Sequence, residues 1–461
     1  MGLPDPGAQT TQPVTHNVHE IRDEALGNTS YLVAVDARTA LVIDPRRDIE
    51  DHLAIAERLG VQIEGVLETH LHADFLTGAR EIADATGATI YASQDAHLTG
   101  AHTPLAPGAV IAVGDATITV IDTPGHTPEH ISYRFVSRDT DAVFSGGSLI
   151  VGGAARTDLS GRDNAEALAR SQFRSLRKLA ELPDDTALYP THGAGSFCSI
   201  GPARSTVSTI GTERAANPAL GFDDEDAFIK HLLSSFGSYP KYFGHLREVN
   251  RSGPKLLRTL SPAKHIDAKS AQKSIEKGAW LIDGRPIADW ALAHPKDSVS
   301  IEVRPAFASW LGWVVPFGSP FVLVLEPERS DEAITLARRI GYDRFEGWTT
   351  FDEWRNAGLP IGTVDAIDAK QASDRSKDGA VLLDVRQDSE FALSHLPNSV
   401  HLELGDIISG KTPDARDVIA YCGHGERSAT AASLLVRKGF RVANLVGGID
   451  AWRHAGLSLA H

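Results

Sequence analysis

The sequence predicts a multidomain protein in which an α+β amino-terminal part is followed by two copies of a parallel-sheet α/β module. Three features indicate this organisation: histidines that follow strand patterns in the amino-terminal part, an internal repeat in the second half, and a glycine-rich turn near the end. A chain of 461 residues is long enough for about three domains.

The composition is that of an ordinary globular protein, with 42% apolar and 23% charged residues. A net charge of -15 argues against a nucleic-acid or anionic-membrane partner. The only two cysteines, Cys198 and Cys422, make a disulfide framework unexpected, and a working thiol suits a reducing compartment. No signal-peptide pattern and no membrane-spanning apolar run is visible, so we expect a soluble cytoplasmic protein.

Histidines follow several predicted strands of the amino-terminal part. Residues 1–14 are expected to form a flexible tail, and residues 15–255 the first domain. In the run 69–72, His70 and His72 are two residues apart at a strand end and therefore share a face. Two later strand patterns end close to further histidines, namely His126 and His192. Imidazoles delivered from several strand ends are how a β-rich scaffold builds a metal site.

Residues 15 to roughly 203 resemble the metallo-β-lactamase superfamily, and within it the persulfide dioxygenase branch, which is related to the glyoxalase II hydrolases. The segments that carry this resemblance are Thr69-His70-Leu71-His72-Ala73-Asp74, Thr123-Pro124-Gly125-His126-Thr127, Gly153-Ala154-Ala155-Arg156-Thr157-Asp158 and His192-Gly193-Ala194-Gly195-Ser196. The resemblance implies an αββα sandwich with a metal site at one edge. It also implies one Fe(II) that oxidises a low-molecular-weight persulfide, such as glutathione persulfide, to sulfite with O₂.

Two departures from the family pattern change the expected metal site. The family histidines map to His70 and His126, but the family aspartate falls at Gly147 and the last histidine of the motif at Phe75. With His72, three neutral imidazoles remain, a set that suits Zn²⁺ with an open water position. An Fe(II) oxygenase site prefers two histidines and a carboxylate. We therefore expect one Fe(II) or Zn per chain, and leave a degenerate, structural domain open as an alternative.

Two further residues are expected near this metal site. Asp74 is a candidate substitute for the missing carboxylate. Cys198 follows His192 by six residues in a glycine-rich loop. Two roles are open for Cys198: a second persulfide-accepting thiol, or a packed core side chain.

An internal repeat predicts the architecture of the rest of the chain. The segments that recur 101 residues later are Ile266-Asp267-Ala268-Lys269, Leu281-Ile282-Asp283-Gly284-Arg285 and His294, which match Ile367-Asp368-Ala369-Lys370, Leu382-Leu383-Asp384-Val385-Arg386 and His395. We expect a first copy over 256–360 and a second copy over 361–461. Each would be a parallel sheet flanked by helices.

In the second copy, Cys422 lies between an apolar strand pattern and a helical pattern, at a predicted strand-to-helix turn. The glycines let the loop fold tightly with its N–H groups directed inward, and the helix aims its positive end at the same place. Arg427 adds a full charge. These features favour a thiolate and stabilise an anion carried on its sulfur. The expected substrate-binding loop residues are Gly423, His424, Gly425 and Glu426.

This loop resembles the active-site loop of the rhodanese sulfurtransferases, which move sulfane sulfur through a cysteine persulfide. The flanking residues that follow the family pattern are Leu382-Leu383-Asp384-Val385-Arg386, Glu390, His395, Pro397-Asn398-Ser399, Val446-Gly447-Gly448 and Trp452. Cysteine phosphatases place five residues between Cys and Arg, whereas here four separate Cys422 from Arg427. The resemblance implies Cys422 and Arg427 as catalytic residues and no cofactor for this domain.

The first copy differs where the chemistry would occur. Its strand pattern 321–325 runs into Glu326, so we expect an acidic residue in place of the cysteine and an inactive copy. The segment 307–321 is unusually apolar for a loop, and we expect it to cover a neighbouring domain or a dimer partner.

The function predicted from these features is sulfane-sulfur metabolism: a sulfurtransferase acting through Cys422, coupled to a persulfide-dioxygenase-like domain. The expected partners are small thiols and persulfides of the glutathione type and thiosulfate, and a homo-oligomer is left open. Two alternatives remain, a Zn-dependent thioester hydrolase of the glyoxalase II kind and a non-catalytic sulfur carrier or redox sensor. A phosphatase would require phosphate to fit the short loop.

Overall fold

The structure, a computed structural model, describes residues 17–193, 195–200 and 206–461. The chain divides into two compact units, of which the first runs to Phe236 and includes 243–258. The second unit comprises 237–242 and 259–461. Within the described ranges, no helix is both long and apolar enough to cross a membrane.

The first unit contains fifteen strands and six helices in its described part. The strands are β1 (Val18–Asp23), β2 (Asn28–Ala34), β3 (Thr39–Ile43), β4 (Gln62–Leu67), β5 (Thr89–Ser93), β6 (Thr103–Leu105), β7 (Val110–Val113), β8 (Ala116–Asp122), β9 (Ile131–Val136), β10 (Asp141–Gly146), β11 (Leu149–Ile150), β12 (Gly153–Ala155), β13 (Ala187–Pro190), β14 (Ser199–Ile200) and β15 (Ser208–Thr209). The helices are α1 (Glu50–Leu59), α2 (Ala79–Thr86), α3 (Ala165–Ala180), α4 (Ile210–Ala216), α5 (Glu225–Ser234) and α6 (Phe243–Ser252).

Two six-stranded sheets form the centre of this unit. Their strand orders are β1-β2-β3-β4-β5-β6 and β15-β13-β10-β9-β8-β7, and a small third sheet has the order β11-β12-β14. Tyr31 and Val33 of the first sheet share one buried cluster with Ile118 and Val120 of the second. Because alternate side chains of a strand face one side, this shared cluster places the main core between the two sheets.

Helices cover the outer faces of both sheets. Val42 of β3 belongs to a buried cluster with Ala56 of α1 and Ile82 of α2. On the second sheet, Val143 of β10 clusters with Phe228 of α5. The layers are therefore helices, sheet, sheet and helices, which confirms the predicted αββα sandwich.

The second unit contains eleven strands and ten helices. The strands are β16 (Trp280–Asp283), β17 (His294–Pro295), β18 (Val299–Ser300), β19 (Phe321–Val324), β20 (Phe345–Thr349), β21 (Ile361–Gly362), β22 (Asp365–Ile367), β23 (Val381–Asp384), β24 (Val400–His401), β25 (Asp417–Tyr421) and β26 (Arg441–Leu445). The helices are α7 (Ala268–Glu276), α8 (Ile287–Leu292), α9 (Phe307–Val314), α10 (Ser330–Arg339), α11 (Phe351–Asn356), α12 (Ala369–Lys377), α13 (Asp388–Leu393), α14 (Leu404–Ile408), α15 (Glu426–Val436) and α16 (Gly448–His454).

The repeat appears in this unit as two parallel sheets of related order. The first copy has the order β18-β16-β19-β20, and the second has β22-β26-β25-β23-β24. In each copy an arginine folds back on the aspartate two residues earlier, with Nη2 to Oδ2 distances of 2.6 Å in both pairs, Arg285 with Asp283 and Arg386 with Asp384. The same local clasp in both copies agrees with the predicted parallel α/β modules.

Strand register locates the counterpart of Cys422 in the first copy. The equivalent parallel pairs are Asp283 with Val324 in the first copy and Asp384 with Tyr421 in the second. The next residue along each strand is Leu325 in the first copy and Cys422 in the second, and both are fully buried. The expectation of an acidic residue in place of the cysteine was wrong, because Glu326 lies one position further along and is exposed. The first copy therefore presents an apolar side chain where the second presents sulfur.

The apolar segment 307–321 is largely a helix, α9, and not a loop as its composition suggested. Gly312 faces the ring of Tyr242, and the ring of Trp313 reaches the place where Gly405 would carry a side chain. Trp310 packs against the core of the second copy. Both sides of α9 are thus covered within the second unit, as expected for a helix that is apolar all round.

Candidate metal centre and candidate sulfur-carrying loop

Five histidines form a cluster in the first unit, and we call them the histidine cluster. All five are at most 3% exposed, and they are His70 and His72 after β4, His126 and His130 between β8 and β9, and His192 after β13. The two sheets bring these strand ends together at one edge of the sandwich.

Hydrogen bonds define which nitrogen carries the proton in two of these rings. Nδ1 of His126 lies 2.7 Å from the backbone oxygen of Arg156, and a carbonyl oxygen can only accept. Nδ1 of His192 lies 2.9 Å from Oδ1 of Asn28, whose Nδ2 donates to Asp74 at 2.9 Å. Both rings therefore carry the proton on Nδ1 and leave a lone pair on Nε2.

His70 is oriented in the same way by a longer chain of contacts. The Thr69 hydroxyl lies 2.7 Å from Oδ2 of Asp44, to which it donates, and 2.8 Å from Nδ1 of His70. The hydroxyl oxygen consequently accepts from Nδ1–H, and Nε2 of His70 keeps its lone pair. Asp44 holds this position at φ 47°, which is uncommon for a residue with a side chain.

The three Nε2 lone pairs converge. His70, His126 and His192 offer ligand atoms that lie within 4.8 Å of one another. The Nε2 atoms of His70 and His192 are 3.2 Å apart, and the buried Nε2 of His126 has no hydrogen-bond partner. With the proton on Nδ1, none of these nitrogens can donate to another. The donor set therefore fits one divalent cation held by neutral imidazoles, as Zn²⁺ is held in proteins.

Burial keeps the cluster in the form that binds metal. It lowers the pKa of His70 and His126 well below the ordinary range, and it lowers the pKa of His130 and of His192 to about 3. These imidazoles are therefore neutral at pH 7.

His72 lies beside this trio and next to two carboxylates. Its Nε2 is 3.3 Å from Oδ1 of Asp44 and 3.7 Å from Oε2 of Glu68, and its ring stacks on Phe75 at 4.2 Å. Burial acts to lower the pKa of His72, but Asp44, Glu68 and Asp74 together outweigh it and the pKa lies above the ordinary value. Two further candidate ligand groups contain His72, one with Asp44 and His70 and one with Asp74 and His192. A ligand role for His72 stays a prediction.

The place of the missing family aspartate is filled by an imidazole. A Cβ atom built on Gly147 would lie 2.3 Å from Cδ2 of His126, and the Gly147 N–H donates to Nε2 of His130 at 2.9 Å. The nearby carboxylates of Asp44 and Asp74 are engaged by Thr69 and Asn28. The family positions therefore supply no carboxylate for an Fe(II) site made of two histidines and a carboxylate, and only the two groups that contain His72 include one among the described residues.

Cys198 lies near this cluster but is not poised to react. It is fully buried, and burial followed by the charge of Asp74 raises the pKa of its thiol well above the usual value. A thiol is a much weaker nucleophile than a thiolate. Of the two roles left open for Cys198, the structure favours packing.

A cavity of about 330 Å³ borders the segment that carries His70. Its walls include Ile90, Ala92 and Leu256, and Glu68 also lines it. Burial raises the pKa of Glu68 to about 7. This cavity is large and apolar enough to receive the organic part of a small ligand.

In the second unit, residues 422–427, which we call the Cys422 loop, follow β25 and include the first two residues of α15. The fully buried sulfur of Cys422 accepts the N–H of Gly425 at 3.1 Å and lies 3.6 Å from the hydroxyl of Ser428. Gly425 caps α15 at φ 110°, a conformation open to glycine. The sulfur thus lies at the positive end of an eleven-residue helix, as the sequence predicts.

The glycine pair after β26 holds the loop from behind. Gly448 lies so close to Cys422 that a Cβ atom would be 2.2 Å from its backbone oxygen. That oxygen accepts the N–H of Ile449 at 2.8 Å, and Asn444 Nδ2 donates to the oxygen of Gly425 at 3.2 Å. The match of Val446-Gly447-Gly448 to the family pattern therefore has a steric cause.

Arg427 makes a two-pronged ion pair that sequence reasoning missed. Its Nη1 and Nη2 donate to the carboxylate of Glu390 at 2.5 and 2.8 Å. Burial acts to raise the pKa of Glu390, but Arg427, assisted by the Gln387 backbone and Arg386, outweighs it and lowers that pKa. The guanidinium also lies near the loop, with Nη2 3.6 Å from a Cβ built on Gly423. Whether Arg427 binds the substrate anion stays a prediction.

Two more contacts between ionisable side chains lie at the rim of the loop. The exposed His424 has its Nε2 3.0 Å from Oδ2 of Asp450. Glu426 lies 3.6 Å from Nη2 of Arg304, which belongs to the first copy. The sequence offers no local signal for either partner, because both lie far along the chain.

Comparisons with known proteins match both units. The model of the metallo-beta-lactamase superfamily matches residues 24–192, and the model of the rhodanese-like domain matches residues 368–455. A hydroxyacylglutathione hydrolase from Polaromonas sp. is 33% identical over 257 residues, which cover 49% of this chain and 95% of that protein. The human mitochondrial persulfide dioxygenase ETHE1 is 30% identical over 202 residues, which cover 42% of this chain and 71% of that protein.

A solved structure extends the likeness beyond the first unit. A metallo-beta-lactamase from Staphylococcus aureus subsp. aureus COL aligns with a TM-score of 0.65 at 26% sequence identity. The alignment covers 72% of this chain and 98% of the other.

Proposed function

We propose that this chain, which belongs to the metallo-β-lactamase superfamily and carries a carboxyl-terminal rhodanese-like domain, is a sulfurtransferase of sulfane-sulfur metabolism. The observation that carries the proposal is the position of the Cys422 sulfur, which accepts the N–H of Gly425 at the start of α15. A backbone N–H and a helix N-terminus stabilise an anionic sulfur without using a side chain.

The chemistry follows from that position. The Cys422 thiolate attacks the outer sulfur of thiosulfate, the S–S bond of thiosulfate breaks, and sulfite leaves with the electron pair. The product is a persulfide anion on Cys422, held by the same N–H group. A nucleophile such as cyanide then takes the outer sulfur as thiocyanate and restores the thiolate.

Replacement of Cys422 tests this proposal. In Cys422→Ser, steady-state transfer of sulfur from thiosulfate to cyanide should fall below detection, because the hydroxyl cannot carry sulfane sulfur. Cys198→Ala is the matched control and should keep the activity. Retained transfer in Cys422→Ser would contradict the proposal, and one stoichiometric burst without turnover in the wild-type protein would favour the carrier alternative.

For the first unit we propose one divalent metal ion held by His70, His126 and His192. Bound there, such an ion would supply a hydroxide at neutral pH. The chain's own groups orient the rings: Thr69 holds His70, the Arg156 carbonyl holds His126 and Asn28 holds His192.

Hydrolysis of a thioester such as an acyl-glutathione is the second candidate function, and the three-imidazole set favours it over persulfide oxidation. Metal analysis with two assays separates these activities. We expect zinc near one equivalent, turnover of S-lactoylglutathione that His192→Ala abolishes, and no O₂ uptake with glutathione persulfide. Iron together with O₂ uptake would instead support a bifunctional dioxygenase and sulfurtransferase.

A further inference from the structure

The first copy, which lacks the cysteine, contacts the helix that carries the Cys422 loop. The hydroxyl of Thr430 on α15 donates to the backbone oxygen of Ser300 at 2.7 Å. The N–H of Ser300 donates to Oγ of Ser433 on the same helix at 3.3 Å. These two bonds hold the start of the segment 300–304 against α15.

This contact brings Arg304 to the rim of the Cys422 loop. Its guanidinium lies 3.6 Å from Glu426, the first residue of α15, and the two side chains are 31% and 35% exposed. The ion pair of Arg427 with Glu390 is shorter, at 2.5 Å. Arg304 is therefore the more loosely held of the two arginines beside the loop.

The internal repeat shows that only one copy carries a cation at the position of Arg304. The offset of 101 residues makes Gly405 the counterpart of Arg304. The preceding residues, Val303 and Leu404, make equivalent backbone hydrogen bonds in the two copies. At Gly405 the ring of Trp313 occupies the space that a side chain would need. The first copy thus places a cation beside the Cys422 loop, whereas the equivalent position of the second copy is a glycine covered by the ring of Trp313 from the first copy.

We propose that Arg304 binds the anionic end of the sulfur donor that is not transferred, such as the sulfonate of thiosulfate or the carboxylate of a thiol. The inference rests on the proposed sulfur transfer at Cys422 and adds a substrate class to it. Without Arg304, the carboxylate of Glu426 beside the loop repels such a donor. When Arg304 is present, its guanidinium neutralises Glu426 and also pairs with the anionic group of the donor.

Two donors that deliver the same sulfur isolate this role. Thiosulfate carries a sulfonate on the leaving sulfite, whereas ethyl persulfide leaves as ethanethiolate and has no second charge. In both reactions the Cys422 thiolate forms a new S–S bond, the donor S–S bond breaks and the leaving group takes the electron pair. Only thiosulfate offers Arg304 an anionic group beyond the reacting atoms.

The test measures kcat and KM of both donors in Arg304→Ala. The KM for thiosulfate should rise about fivefold, the effect of one partly screened charge pair, while its kcat and both constants for ethyl persulfide stay within about twofold. Lys296→Ala removes an exposed cation from the same copy and is the matched control. Equal changes for both donors, or none for thiosulfate, would overturn the proposal.

A double variant separates donor binding from a structural effect on Glu426. If Arg304 only neutralised Glu426, Glu426→Gln combined with Arg304→Ala would restore the wild-type KM for thiosulfate. We expect the KM to stay raised, and Arg304→Lys to recover part of the loss. Full restoration in the double variant would show that Arg304 does not contact the donor.

Mass spectrometry keeps this proposal apart from the proposed function. Arg304→Ala should still acquire one sulfur on Cys422 when thiosulfate is saturating. If the wild-type protein acquired none, the transfer itself would be refuted. If both proteins acquired it with the same concentration dependence, only the role of Arg304 would be refuted.

Discussion

The histidine cluster and the Cys422 loop are both built where strands end, yet they handle charge in opposite ways. Four of the five rings in the cluster are neutral imidazoles whose pKa burial has lowered, and the lone pairs of three of them converge on a point suited to a cation. The loop turns a backbone N–H toward a buried sulfur and surrounds it with ion pairs. The function of the cluster therefore depends on which ring nitrogens carry protons, whereas the loop depends on a backbone N–H and on charged side chains around the sulfur.

The same contrast determines how each centre responds to the substitution of a neighbouring residue. A ring in the cluster is held by a hydrogen bond to its far nitrogen, such as that from His192 to Asn28, so loss of one neighbour misdirects a ligand. The sulfur in the loop is held by the main chain, and neighbouring side chains adjust the field around it. Changes in the cluster should therefore have larger effects than changes at the rim of the loop.

The largest expected effect separates the two centres completely. His126→Ala removes one of three converging lone pairs, so metal content should fall more than tenfold, while thiosulfate to cyanide transfer is unchanged. Cys422→Ser should do the reverse. Elemental analysis and the transfer assay on the same preparations check both, and a loss of transfer in His126→Ala would break the comparison.

Acidification of the metal-free protein should destabilise the first unit before the second. The buried histidines His52, His130 and His192 have pKa values of about 4, 3 and 3. Between these values and about pH 6.5, the unfolded chain binds more protons than the folded protein. The free energy of unfolding therefore decreases as the pH is lowered through this range. Glu68, whose pKa is raised to about 7, binds one proton in the folded protein over much of this range and so opposes part of the loss. His70 and His126, whose pKa values are lowered as well, add to the loss, so we expect the stability of the first unit to fall steeply between pH 6.5 and 4.5.

The tryptophans make this pH prediction measurable. All seven lie between Trp280 and Trp452, so their fluorescence reports on the second unit alone. There, the pKa of Glu390 is lowered, and its contribution is lost only as the pH falls below the ordinary glutamate range toward that lowered value. Between pH 6.5 and 4.5, hydrogen exchange should rise in the first unit while the fluorescence stays native. Simultaneous unfolding of both units would contradict this.

Restoring the family aspartate should harm the cluster. Gly147→Asp places a Cβ atom 2.3 Å from the His126 ring, so we expect a loss of about 3 kcal/mol from overpacking and no gain of iron. Gly244→Asp is the control, because it lies exposed in the first turn of α6 with open space around it. A Gly147→Asp variant of normal stability that binds iron would show that the ring moves aside freely.

The smallest effects are expected at the ion pairs of the loop. Glu390→Gln leaves the guanidinium of Arg427 without its paired charge and should cost about 1–2 kcal/mol in urea unfolding followed by fluorescence, allowing for partial exposure. Asp450→Asn breaks the pair to the exposed His424 and should cost less than about 0.5 kcal/mol. An equal loss of unfolding free energy in Asp450→Asn and Glu390→Gln would show that the exposure of a pair does not determine its contribution to stability.

More of the fold than of the candidate site could be predicted from the sequence. Strand patterns, the 101-residue repeat and the Cys422 run predicted the layers and the two modules, since these depend on local periodicity and spacing. The ligand set was harder to predict. His192 was noticed at a strand end but was not counted among the candidate ligands, whereas His72 was counted because of its spacing from His70. The structure brings both residues into candidate ligand groups, and the strand-end position of His192 was the available signal for including it.

The sequence by itself determined that sulfur would lie at a helix start and that histidines would follow strands, because both are local consequences of neighbouring residues. Only the tertiary structure decided which lone pairs converge, since the proton position on His192 depends on Asn28, which lies 164 residues away. It also decided that His126 fills the space at Gly147 and that Arg304 meets Glu426. Such long-range contacts depend on how the layers pack, which no local pattern encodes.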